Sequence, residues 1–89
     1  MSLTQWLIIL NPVAGGGKTA RMWPHISKYF LERDFIFECV FTKHKNHAVT
    51  IVIEAIREGF RKFIVIGGDG TLHEAVSYTH LTLPTIYSV

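Results

Sequence analysis

Eight consecutive residues, Gly67-Gly68-Asp69-Gly70-Thr71-Leu72-His73-Glu74, hold the ingredients of a phosphate site. Glycines at 67, 68 and 70 let a backbone turn sharply and let a ligand come close to it. One carboxylate, Asp69, stands inside the turn, in a position to orient a hydroxyl or to hold Mg²⁺ beside phosphates. Thr71 and Glu74 have the spacing of a capping box, so a helix is expected to start at Thr71. The N–H groups and dipole of a helix start both favour an anion. Each residue also has a purely structural use: glycines make tight turns, Thr71 and Glu74 cap a helix, and Asp69 hydrogen-bonds its own turn.

A second glycine turn, Asn11-Pro12-Val13-Ala14-Gly15-Gly16-Gly17-Lys18, tips the balance toward ligand binding. Gly17-Lys18-Thr19 has the ending of a Walker A loop, but Pro12 occupies the place of that loop's first glycine. Gly15, Gly17 and Ala20 follow the spacing of a dinucleotide fingerprint, yet Thr42-Lys43 stands where its acidic residue belongs. Lys18 after the turn is a candidate phosphate neutraliser, although a lysine there is more often solvated. His44 and His47 lack a third metal ligand nearby and read as loop and helix-start residues. His73 reads as a surface or packing residue, and Trp6 and Trp23 as core or cover.

Both turns follow apolar runs. Trp6–Leu10 and Phe63–Ile66 read as buried strands, and Phe35–Phe41 as a strand of mixed character. A helix is expected over Thr19–Arg33 with an irregular start, because Pro24 removes a donor inside it; its smoother part runs from Pro24, which suits a first helical turn, to Arg33. Its apolar face would carry Ile26, Phe30 and Leu31. A second helix, opening at Asn46 or His47 and running to Glu58, would bury Val49, Val52, Ile53 and Ile56, widened by Ile51 and Ala55. Gly59 is its expected stop.

This alternation predicts an α/β fold, a three-layer α/β/α arrangement with a parallel sheet. Right-handed crossovers would bring both glycine turns and the loop at Thr42 to the sheet's carboxyl edge, where open α/β sheets bind ligands. From Ser77 to Thr85 neither helical nor strand period is visible, and Pro84 argues further against a strand. The domain is therefore expected to span 1–76. Residues 77–89 look like a non-native tail resembling translated adapter sequence, and take no functional role.

Composition narrows the function classes. With 48% hydrophobic and 18% charged residues the chain is globular rather than disordered. A net charge of +2 without a dense Lys/Arg patch gives no support for nucleic-acid binding. The single cysteine, Cys39, excludes an internal disulfide framework and reads as a buried thiol. Apolar runs are far shorter than the ~20 residues of a membrane span, so a cytoplasmic protein, peripheral at the membrane at most, is expected.

The two turns together, with Thr42 and His47-Ala48 between them, resemble the diacylglycerol kinase catalytic-domain family of lipid kinases. The resemblance runs from the first residues to about Val76. Gly67-Gly68-Asp69-Gly70 by itself is shared with NAD kinases and phosphofructokinases. The resemblance implies transfer of the γ-phosphate of ATP to a lipid hydroxyl, diacylglycerol-like and at a membrane surface, with Mg²⁺. By match, Asn11, Pro12, Gly15, Gly16 and Thr42 line the nucleotide. Gly67, Gly68, Asp69, Gly70, Thr71 and Glu74 cradle its phosphates. Asp69 is the catalytic carboxylate, as base or as partner of the metal, and no residue is assigned as a metal site. The family's second, β-rich domain, which supplies much of the lipid cleft, is expected to be missing, leaving little catalysis and an unpaired third strand prone to association. The alternatives are a kinase acting on NAD or a sugar phosphate, and a nucleotide-binding module without catalysis.

Overall fold

The computed structural model describes residues 5–67, 71 and 85–88. Its order is β1 (Trp6–Leu10), a glycine turn (Ala14–Gly17), α1 (Lys18–Glu32), β2 (Phe37–Phe41), α2 (His47–Glu58), β3 (Lys62–Ile66) and β4 (Thr85–Ser88). The sheet runs β2-β1-β3-β4, and every pair is parallel. The expected α/β/α layering is what forms.

The sheet is covered on both faces, which is why β1 and β3 read as continuous apolar runs. Successive side chains point to opposite faces. Leu7, Ile9, Phe63 and Val65 pack under α2 with Ala48, Ile51, Val52 and Ala55. Ile8, Leu10, Ile64 and Ile66 face α1, where half-buried Trp23, Ile26 and Phe30 meet Trp6, Phe35, Phe37 and Cys39. Trp6 stacks on Phe35 at 5.3 Å between ring centroids, and Phe30 on Phe35 at 4.8 Å.

Several local expectations need correction. α1 carries Pro24 inside it, as expected, but runs unbroken from Lys18 to Glu32 rather than starting irregularly. Leu31 is 65% exposed and belongs to the outer face. The buried stripe of α2 is Ala48, Ile51, Val52 and Ala55, one residue round from the expected one, with Val49, Ile53 and Ile56 half-buried. Both stripes have the same i, i+3, i+4, i+7 spacing, and a helix apolar on both carries no signal choosing between them. Gly59 does end α2: at φ 104° it is left-handed, and the Phe60 N–H donates to the Ala55 carbonyl.

The largest correction concerns the carboxyl end. Thr85–Ser88 forms a strand paired along β3, from Lys62 opposite Thr85 to Val65 opposite Ser88. The Thr85 N–H donates to the Arg61 carbonyl at 2.8 Å, so pairing starts directly after the proline that argued against a strand. β3 is therefore interior and not the unpaired strand, and among the described residues β2 and β4 are the edges.

Candidate functional site

Register creates the site. Leu10 of β1 lies opposite both Phe41 of β2 and Ile66 of β3. Three strands thus end in one row, and the next residues, Asn11, Thr42 and Gly67, stand side by side. The ladder continues one step into them: the Asn11 N–H donates to the Ile66 carbonyl and the Thr42 N–H to the Leu10 carbonyl, both at 2.9 Å.

Asn11 ties the two glycine turns together. Its Oδ1 accepts from the Val13 N–H at 3.1 Å, forming the Asx turn that starts the first loop. Its Nδ2 donates to Thr71 Oγ1 at 3.2 Å, sixty residues away. The Thr71 hydroxyl in turn donates to the Gly67 carbonyl at 3.1 Å. Thr71 is 5% exposed, so its hydroxyl is satisfied in both directions within the protein. It has helical backbone, and its hydroxyl closes the turn it follows; Glu74, the other half of the expected capping box, lies outside the described residues.

Gly67 is required at its position. A Cβ there would stand 2.6 Å from the Asn11 Cβ and 3.2 Å from the Asn11 nitrogen, and its φ of 145° is unfavourable to any side chain. Close approach of the two loops, not only freedom to turn, explains this glycine.

The first loop is more closed than a phosphate cradle would be. The Ala14 N–H donates to the Asn11 carbonyl and the Gly17 N–H to the Val13 carbonyl. The Lys18 N–H reaches the Ala14 and Gly15 carbonyls. Thr19 Oγ1 also donates to the Ala14 carbonyl, at 3.2 Å. Gly15, Gly16 and Gly17 all have positive φ, which coils the chain tightly into α1.

These loops and the one after β2 enclose a cleft of ≈ 550 Å³ lined by Asn11, Val13, Ala14, Gly15, Thr42, Lys43, His44, Lys45, Gly67 and Thr71. Of the expected binding residues, Asn11, Gly15, Thr42, Gly67 and Thr71 meet there. Pro12 and Gly16 belong to the same turn without lining the cleft, and neither does Lys18. Gly68, Asp69, Gly70 and Glu74 lie outside the described residues.

The expected set omitted Lys43, His44 and Lys45. They follow Thr42 directly, and a basic run behind a strand end was the available signal. The loop is held by its histidines: the Lys43 N–H donates to His47 Nδ1 at 2.9 Å, and the His44 and His47 rings stack at 4.6 Å. No carboxylate stands among the described lining residues, so the cleft is cationic and suits an anion.

A doubly covered parallel sheet with its cleft at the carboxyl edge defines an α/β domain of the ligand-binding kind. Residues 5–85 match the model of the diacylglycerol kinase catalytic domain, and the chain belongs to that family of lipid kinases. It is 37% identical over 78 residues to the Bacillus subtilis (strain 168) protein named Putative lipid kinase YtlR, covering 84% of this chain and 25% of that one. It is 31% identical over 72 residues to Sphingosine kinase 1 of Homo sapiens, covering 80% of this chain and 19% of that one. The chain thus spans a quarter or less of the length of these relatives. A crystal structure of a diacylglycerol kinase from Bacillus anthracis str. Sterne superposes with a TM-score of 0.72 at 23% identity, over 100% of this chain and 33% of that one. That likeness concerns the fold. Among the described residues no helix is long and apolar enough to cross a membrane.

Proposed function

We propose that the cleft binds the phosphates of ATP and that this domain is the nucleotide half of a kinase transferring the γ-phosphate to a lipid hydroxyl. The observation that carries the reading is the Asn11 bridge, which holds the two glycine turns against each other beside a cationic loop. A volume of ≈ 550 Å³ falls within the ordinary range for small-molecule sites.

In this reading Thr42 and Gly15 line the nucleotide, Lys43 and Lys45 neutralise phosphate charge, and Thr71 keeps the second turn in place. Lysines act here as point charges on the phosphates, and phosphoryl transfer depends chiefly on such positioning and neutralisation. Asp69, carried in the second turn, is the acid proposed to meet the acceptor hydroxyl, and Gly68, Gly70 and Glu74 complete its loop. The cleft's donor set of amide, hydroxyl and ammonium groups fits an anion. Among the described residues no group of three acidic, histidine or cysteine side chains is arranged to hold a metal. Mg²⁺ is proposed to arrive on the nucleotide. The acceptor is proposed to be a lipid, met at a membrane surface by a protein working on its cytoplasmic side.

Titration calorimetry with ATP and Mg²⁺ on this chain tests the nucleotide half. Saturable binding is expected, weakened at least about tenfold by Asn11→Ala, which removes both bridging bonds. Absence of any adenine-nucleotide binding would end the proposal. Transfer is read on a chimera in which residues 5–76 replace the matched stretch of YtlR, offered diacylglycerol, sphingosine or NAD. A lipid product that disappears with Asp69→Asn supports the reading, and phosphorylation of NAD alone rejects it.

A further inference from the structure

Among the described residues β2 and β4 are the two edges of the sheet, and β2 pairs only with β1. The Ile36 carbonyl accepts from the Trp6 N–H, and the Thr42 N–H donates to Leu10, so the even positions of this strand turn their main chain toward β1. By the strand's period of two, Phe37, Cys39 and Phe41 turn theirs outward, where no described strand receives them. Edge strands of monomeric proteins are commonly blunted by Lys, Pro or a bulge. The strand Phe-Glu-Cys-Val-Phe has none of these and a single charge. Apolar surface accompanies the open edge, with Phe41 40% and Ile36 58% exposed.

We propose that β2 pairs antiparallel with the same strand of a second copy of this chain. The residues select the register. A two-fold axis at Cys39 sets Phe37 opposite the partner's Phe41 and Glu38 opposite the partner's Val40. All the outward-facing groups then pair, giving about six main-chain hydrogen bonds. Sliding the strands one way places Glu38 directly against the partner's Glu38, and like charges opposite each other destabilise a sheet. Sliding the other way sets Phe37 against the partner's Lys43, beyond the strand, and loses bonds.

The favoured register also continues the aromatic layer. Trp23 already meets Phe37 at 6.1 Å and Phe41 at 6.3 Å, both edge-on. The symmetric Phe37–Phe41 pairs extend that cluster across the axis and cover the exposed part of Phe41. An unrelated strand has no reason to supply a phenylalanine at both ends and an uncharged residue opposite Glu38. The strand itself supplies all of them.

Sedimentation equilibrium of this chain across the micromolar range reads the association. Two variants at one half-buried position test the register. Val40→Lys faces the partner's Glu38, and Val40→Glu repels it, at comparable cost to the fold. Val40→Lys is expected to dimerise at least about tenfold more tightly than Val40→Glu, with the gap shrinking in high salt. Cys39→Pro removes an outward N–H and leaves the bonds to β1 intact, so it is expected to stay monomeric with an unchanged near-ultraviolet spectrum. A wild-type chain monomeric throughout, equal dimerisation by the two Val40 variants, or a dimer surviving Cys39→Pro would each overturn the proposal.

Discussion

Gly67→Ala probes the junction of the two loops with the smallest possible change. The added carbon would stand 2.6 Å from the Asn11 Cβ, 3.2 Å from its nitrogen and 3.4 Å from its Cα. These atoms cannot yield cheaply, because the Asn11 nitrogen is held to the Ile66 carbonyl at 2.9 Å. Placing a side chain in this backbone region costs about 1–3 kcal/mol. Forcing the overlapping carbon into the junction costs about 1–3 kcal/mol more. The sum, about 2–6 kcal/mol, rivals the lower end of the ~5–15 kcal/mol that stabilises a typical domain. Gly16→Ala is the control. Gly16 has φ of 66°, but a methyl carbon added there would meet nothing within 4 Å, so it should lose only about 1 kcal/mol. Urea unfolding of both variants beside the wild type measures the difference. With a slope near ~1 kcal/mol per molar for a small chain, Gly67→Ala should lower the midpoint by about 2 M or more, or abolish the transition. Equal losses in the two variants would refute the close-approach argument, because they would reduce Gly67 to an ordinary turn glycine.

Two other residues carry sharp expectations. Thr71→Val keeps the shape of a 5% exposed side chain but removes the hydroxyl between Asn11 and Gly67; a loss of about 1–3 kcal/mol in urea unfolding is expected, and a neutral result would mean that the bridge contributes nothing. Burial raises the Cys39 thiol from 9.0 to about 11. Above pH 9 the unfolded chain therefore releases this proton while the folded chain keeps it, so stability should fall between pH 9 and 11. The decline should be shallower in Cys39→Ala, and identical slopes would show that Cys39 does not contribute to it.

The order and type of the first five regular elements were legible because each carries one dominant signal. Trp6–Leu10 is bounded by Asn11-Pro12, and α2 is bounded by Asn46 and Gly59. What failed depended on packing. The start of α1 is regular although Pro24 lies inside the helix, because the glycine coil before it sets the first turn. Thr85–Ser88 has no amphipathic period to detect, being short and placed beside an already formed strand. Its residues are respectable strand formers, yet only the neighbouring edge of β3 gives them something to pair with.

Of the cleft's described lining, Gly15 and Gly67 stood out in the sequence and Lys43 and Lys45 did not, for a reason rooted in how each contributes. A glycine forced by close approach leaves a mark in the sequence, since no other residue fits at Gly67. A lysine at a cleft looks like any surface lysine until the register of three strands places it there. That register is the deeper cause of the site. Leu10, Phe41 and Ile66 end level, and the ladder runs on into Asn11 and Thr42. Asn11 is consequently a sheet residue by its main chain and a loop residue by its side chain. A one-residue slip of β3 against β1 would turn every inward side chain of β3 to the opposite layer, and it would part Asn11 from Thr71 as well. Correct packing of the core and correct assembly of the cleft are thus one condition, enforced by the same strand pairing.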